Sequence, residues 1–185
     1  MTSPTTPPTS PPSSRFLLVA TAVEGGLALA AVAVGWVVGF SPTQKLTAGD
    51  AWGANAISIG WGVALAGLML LALVASQRVR WRPLDRISEL LTRSLLPIFR
   101  DCSLLDLAIV SLMAGLGEEV LFRGLLQDGV AHAIGGAAGV WAGLAVGSIV
   151  FGAVHAITPT YAVLAALVGV LFGFLFMATG DLLAP

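Results

Sequence analysis

The sequence predicts an all-α fold, a polytopic transmembrane bundle of about five spanning helices with a further amphipathic helix on the membrane surface. Hydrophobic residues make up 57% of the 185 residues and charged residues only 10%, against roughly 45–50% and about 25% in soluble chains. The apolar residues gather in long runs separated by short polar breaks, and a spanning helix needs about 20 consecutive apolar residues. The net charge of −1 speaks against a nucleic-acid partner, because neutralising phosphates requires a basic surface.

The amino-terminal part begins with a Ser/Thr/Pro-rich segment, residues 1–14, which we expect to be disordered because it cannot bury enough apolar surface. The apolar run 16–40 follows Arg15 and predicts the first spanning helix. It exceeds the apolar core of a signal peptide, which spans about 7–15 residues. A polar break at 41–50 separates it from a second predicted span, 51–76.

The segment 77–101 is the most charged part of the chain. Its apolar residues recur at roughly helical spacing, which predicts a short amphipathic helix on the membrane surface. Loops rich in Lys and Arg favour the cytoplasm, so we expect a cytoplasmic amino terminus, with the loops 41–50 and 128–134 on the other side. Six of the nine basic residues lie in this segment: Arg78, Arg80, Arg82, Arg86, Arg93 and Arg100.

Three more apolar runs, 104–126, 135–157 and 161–179, predict the remaining spans. We therefore divide the chain into two amino-terminal helices, 15–79, and a carboxy-terminal domain, 80–185. Small residues spaced by four let a neighbouring helix backbone approach closely in a membrane. The last two runs carry such a pattern, in Gly135, Gly139, Gly143, Gly147, Gly169 and Gly173.

Glu118, Glu119 and Arg123 are charges inside the third apolar run. Each charge near the bilayer centre costs roughly 2.5–3.5 kcal/mol by insertion scales. Glu119 and Arg123 share one helix face, whereas Glu118 is rotated by about 100°. One carboxylate is therefore left available for chemistry. The alternative is a buried ion pair that only fixes helix packing.

His155 lies near the end of the fourth run and shares a helix face with Phe151. A close helix contact at the glycines would bring His155 towards the acids of the third run. A Glu/His pair is the minimum needed to activate a water molecule, with or without a metal. The alternative is a packing histidine. We expect Glu24, near one end of the first helix, and His132, in a loop, to be solvated or interfacial.

Two motifs resemble those of the CPBP intramembrane proteases, which are also called the Abi or CAAX-protease family. Gly117 to Gly124 read GEEVLFRG and resemble the family's EExxxR motif, and Phe151 to His155 read FGAVH and resemble its FxxxH motif. The spacing, the intervening Gly-rich helix and the Pro-broken hairpin also agree. The resemblance covers roughly residues 80–185.

The resemblance implies an intramembrane endopeptidase. It makes Glu118 the general base, with Glu119 and Arg123 positioning the water and His155 acting on it. It also implies Glu118 and His155 as ligands where a zinc ion is bound, and Phe151 as a packing residue. The expected partners are a membrane-associated peptide or prenylated protein and the lipid bilayer, in a bacterial plasma membrane. Other members are tied to bacteriocin immunity.

The sequence departs from the family pattern in one respect. The family's third motif is a histidine followed four residues later by Asn or Asp, and no histidine follows His155 in the 185 residues. We therefore expect a chain truncated before the last helix or impaired in catalysis. Two readings besides the protease stay open: a non-catalytic membrane immunity or binding protein that keeps the fold, and a small transporter or proton relay.

Overall fold

The structure is a computed structural model that describes residues 13–46, 52–79, 81–94, 96–100 and 102–185. Most of the predicted disordered tail, residues 1–12, lies outside the described residues. Its last two residues, Ser13 and Ser14, already belong to the first helix.

All regular secondary structure in the described ranges is helical, which confirms the predicted all-α class. Within these ranges four helices, α1, α2, α7 and α8, are long and apolar enough to cross a membrane. This agrees with the predicted membrane bundle, although about five spans were predicted and the helix of the third apolar run is not among the four. The helices are α1 Ser13–Val38, α2 Trp52–Ser76, α3 Arg82–Ser94, α4 Leu96–Phe99, α5 Leu104–Glu119, a π-helix Val120–Asp128, α6 Gly129–Ile134, α7 Gly136–Val154 and α8 Pro159–Thr179.

The helix formed by the third apolar run is longer than predicted. α5 continues through the π-helix into α6 without a break, so the predicted end at 126 and the predicted loop 128–134 are wrong. The helix ends at Gly135, whose φ of 76° is readily adopted only by glycine. His132 is therefore not a loop residue: it lies in α6, with its ring 5.5 Å from that of Phe40.

The fourth predicted helix is shorter than expected. α7 ends at Val154, and His155 is the first residue beyond it rather than part of a helix reaching residue 157. The chain then turns, and the Thr158 side chain accepts a hydrogen bond of 3.1 Å from the Tyr161 backbone N–H. Pro159 occupies the first turn of α8, where its missing N–H costs nothing.

Helix α1 packs against α5 and the π-helix, and it runs parallel to α5. Near its start, the Phe16 ring lies 5.4 Å from Phe99 in α4. Near its middle, the Glu24 carbonyl oxygen lies 2.5 Å from the position of a Cβ on Gly117. The start of α1 and the Arg-rich segment therefore lie at the same end of the bundle. The division of the chain at residue 80 stays a prediction.

The glycine pattern sets how α7 packs antiparallel to the preceding helix. A Cβ at Gly139 would lie 2.6 Å from the Ala131 carbonyl oxygen, and one at Gly143 would collide with that of Gln127. The structure confirms the predicted close approach for these glycines and for Gly147, Gly169 and Gly173. Gly135 serves the turn instead.

We expect Gly143→Ala to destabilise the protein because the new methyl group would meet a backbone carbonyl that cannot rotate away. Overpacking costs about 1–3 kcal/mol, which exceeds the gain of about 1 kcal/mol from replacing a helical glycine by alanine. The measurement is thermal unfolding in detergent micelles. Gly67→Ala in α2 is the matched control, since nothing lies within 4 Å of its Cβ position. An unfolding temperature for Gly143→Ala equal to or above that of the control would contradict the prediction.

Candidate active site

Glu119 and Arg123 form an ion pair buried in the centre of the bundle. The Arg123 Nη1 atom lies 2.9 Å from the Glu119 Oε1 atom, and the two side chains are only 2% and 8% exposed, respectively. Arg123 also donates a hydrogen bond of 3.2 Å from Nη2 to the Gly169 carbonyl oxygen. The pair therefore links the α5–π-helix junction to α8.

The Phe151 ring connects this ion pair to His155. The guanidinium carbon of Arg123 lies 4.9 Å from the centre of the Phe151 ring, within the range of a cation–π interaction. The Phe151 ring also lies 4.3 Å from the His155 ring, with the two planes inclined by 30°. A T-shaped contact of 5.0 Å with Phe122 further restricts the Phe151 ring.

Glu118 and His155 face each other beside the buried pair. The His155 Nε2 atom lies 3.6 Å from the Glu118 Oε1 atom, and the side chains are 29% and 25% exposed. The structure thus brings together all five residues of the two motifs. Glu118 is open to a ligand or solvent, whereas its neighbour Glu119 is enclosed, in line with their expected separation of about 100° around the helix.

The backbone fixes the tautomer of His155. Its Nδ1 atom lies 2.8 Å from the Phe151 carbonyl oxygen, and because a carbonyl can only accept, Nδ1 carries the proton. In the neutral ring Nε2 is then an acceptor, as is the ionised carboxylate of Glu118. The distance of 3.6 Å is too long for a direct hydrogen bond. Two acceptors at this spacing suit one water molecule that donates to both.

Glu118 and His155 meet where α7 ends and the chain turns towards α8. Glu118 is about 21 Å along α5 from Leu104 at ~1.5 Å per residue. His155, the first residue beyond α7, is level with Glu118 across their separation of 3.6 Å.

The implied zinc ion does not fit the residues that the structure describes. Catalytic zinc sites have three protein ligands and an open position for water. The described ranges contain no group of three His, Cys, Asp or Glu side chains placed to hold a metal ion. Glu118 and His155 supply only two ligands, fewer than a catalytic zinc site requires.

Glu24 is, with His132, a residue whose predicted place was wrong. It lies near the middle of α1, not near one end, and packs against Gly117, next to Glu118. Its side chain is partly buried, and its Oε2 atom is shielded from solvent. The signal was present in the sequence, since Glu24 is the single charge of an apolar run and bears the same burial cost as the acids of α5.

Comparison with known proteins identifies part of the chain. Residues 100–185 match the family model Rce1-like, described as type II CAAX prenyl endopeptidase Rce1-like. This match is consistent with the CAAX-protease family and confirms the resemblance drawn from the two motifs of that segment. It begins after α4 and does not include α1, α2, α3 or α4. No curated protein and no solved structure matches the chain in the other two comparisons.

We expect Arg123→Met to destabilise the fold strongly, because Glu119 would keep a buried charge without a partner. Breaking a buried pair costs about 3–5 kcal/mol, whereas replacing both partners by apolar residues is often neutral. The double variant Glu119→Leu/Arg123→Met should therefore recover most of the loss in thermal unfolding in micelles.

The chain offers a matched control in Glu89 and Arg93, which have the same spacing but side chains that are 57% and 76% exposed. Arg93→Met should change the stability by less than about 1 kcal/mol. A double variant as unstable as Arg123→Met would show that the pair does more than balance charge.

Proposed function

We propose that the chain is a membrane-embedded endopeptidase of the CAAX-protease type, in which Glu118 and His155 activate the hydrolytic water. The single observation that supports this most is the geometry of the two side chains. Two acceptors face each other at 3.6 Å, one of them a histidine whose tautomer is fixed by the backbone. They stand in a segment that matches a protease family.

The proposed reaction begins with a water molecule that donates one hydrogen to Glu118 and the other to Nε2 of His155. As the water oxygen attacks the carbonyl carbon of the substrate, Glu118 takes a proton and serves as general base. Glu118 then delivers this proton to the departing nitrogen as the carbon–nitrogen bond breaks. The products are a carboxylic acid and an amine, and both catalytic residues return to their starting states. The acid then releases its proton and becomes a carboxylate.

Glu119 and Arg123 are proposed as positioning residues. Arg123 anchors the helix that carries Glu118 to α8 through the Gly169 carbonyl. It also packs on Phe151, which in turn stacks against the His155 ring. A displacement of about 1 Å in such a site can cost roughly 100-fold in rate, so this support bears directly on catalysis.

The proposed substrate is a membrane-associated peptide or a prenylated protein. A prenyl anchor would hold such a substrate at the bilayer while its end reaches Glu118. The family description of the matched segment names prenyl endopeptidases. We place the protein in a bacterial plasma membrane, with the site open to the cytoplasm.

We expect Glu118→Gln and His155→Ala each to lower cleavage of a prenylated CAAX peptide by roughly 10²–10⁴-fold, because general acid–base catalysis contributes that much. The assay is release of the terminal tripeptide by the purified full chain in liposomes. Glu89→Gln, on the exposed face of α3, is the control and should leave the rate unchanged.

The opposite outcome would favour the non-catalytic reading. If the parent chain releases no tripeptide, or if Glu118→Gln cleaves at the parent rate, the proposed hydrolysis is wrong. An immunity or binding function would then have to survive both Glu118→Ala and His155→Ala.

The proposed topology has its own test. Gln44 and Arg93 are both exposed and lie in segments predicted to face opposite sides. In a Cys102→Ser background, a cysteine replacing Arg93 should react only with a reagent applied to the cytoplasmic side, and one replacing Gln44 only with a reagent on the other side. The reverse labelling pattern would invert the topology.

A further inference from the structure

Helix α1 brings a third acidic residue to the site. The Glu24 carbonyl oxygen lies 2.5 Å from the Cβ position of Gly117, and the Glu24 Cα atom lies 3.6 Å from it. The two helices are thus in backbone contact one residue before Glu118. Any side chain at position 117 would separate them, so this glycine is what allows Glu24 to stand beside the motif.

The Glu24 carboxylate has one oxygen without a hydrogen-bond partner among the described residues. Its Oε2 atom is shielded and accepts no hydrogen bond from any group that the structure describes. A carboxylate oxygen held away from water without a donor is costly. At the Gly117 contact the Glu24 backbone lies against the residue that precedes Glu118 in sequence, so the two acids stand on adjoining helices at the same level.

The charges around the site do not balance. Glu24, Glu118 and Glu119 contribute three carboxyl groups, and Arg123 contributes one guanidinium group. Arg123 is committed to Glu119, with which it forms the buried pair. Glu118 faces His155. Glu24 is the remaining carboxyl group of the three, and it pairs with neither Arg123 nor His155. The site can therefore accommodate a further positive charge.

Peptide hydrolysis generates such a charge. The departing nitrogen receives a proton as its bond to carbon breaks, and the released amine takes up a second proton to become a cation, since an α-amino group has a pKa of about 8. We propose that Glu24 is a further catalytic residue, whose carboxylate accepts a hydrogen bond from the departing nitrogen and balances its developing positive charge. This inference rests on the proposed function. It assigns to α1, outside the matched segment 100–185, a direct part in the reaction.

An ester substrate distinguishes this role from a structural one. An ester of the same sequence releases an alcohol, which stays neutral, so it gains nothing from a nearby carboxylate. The experiment compares single-turnover cleavage of a prenylated peptide and of its matched ester by the full chain in liposomes, for the parent, Glu24→Gln and Glu24→Asp. The ratio of the two rates is taken within one preparation, so a loss of folded protein cancels.

We expect Glu24→Gln to lower the peptide rate by roughly 10–100-fold, the range of a hydrogen bond to a charged group, and to leave the ester rate nearly unchanged. Glu24→Asp should restore part of the peptide rate. Equal losses with both substrates, or no loss with either, would overturn the inference. Glu118→Gln serves as the reference, because it should lower both rates together. If it lowers neither, or if the parent cleaves neither substrate, the proposed hydrolysis itself fails and the role of Glu24 with it.

Discussion

The buried charge of Arg123 is the constraint on which the rest of the structure depends. A guanidinium group that is 2% exposed must find its partners within the protein, since the hydrocarbon of a bilayer offers none. It finds them on three elements: the Glu119 carboxylate, the Gly169 carbonyl and the Phe151 ring. The helix junction, α8 and α7 are thereby held at fixed separations. The free energy that burial of this charge costs is offset only in that arrangement.

The glycines of α7 and α8 allow the helices to pack closely enough for these contacts to form. Where a Cβ at Gly143 would meet the Gln127 carbonyl, its absence lets α7 lie directly on the preceding helix. At the same contact Gln127, a second buried polar side chain, donates a hydrogen bond of 3.1 Å to the Gly173 carbonyl oxygen. These contacts fix the position of α7 along the preceding helix, and His155 just beyond α7 faces Glu118.

The sequence was sufficient for the apolar spans and for the meeting of the two motifs, because both follow from burial. Apolar runs must lie in lipid, and charges in those runs must find one another. The sequence was insufficient for the π-helix, since no local pattern distinguishes its wider turns from those of an α-helix. It was also insufficient for α6, because the polar residues after Leu126 suggested that the helix ends there. Asp128 is instead satisfied by Lys45 at 2.6 Å, a contact across the chain that local reasoning cannot reach. The place of Glu24 could have been predicted, because it is a fourth charge within an apolar run and bears the same cost of burial as the other three.

Glu118 and Glu119 lie on different faces of one helix, and only one of them is buried in an ion pair. They are adjacent in sequence, yet the helical turn of about 100° between them leaves their side chains 25% and 8% exposed. The enclosed acid is paired with Arg123 and shielded from solvent. The open acid has no such partner and faces an imidazole. Exchanging their environments would require rotating the helix, which would withdraw Arg123 from Gly169 and Phe151 at the same time. The stability of the bundle and the reactivity of Glu118 are therefore consequences of the same helix orientation.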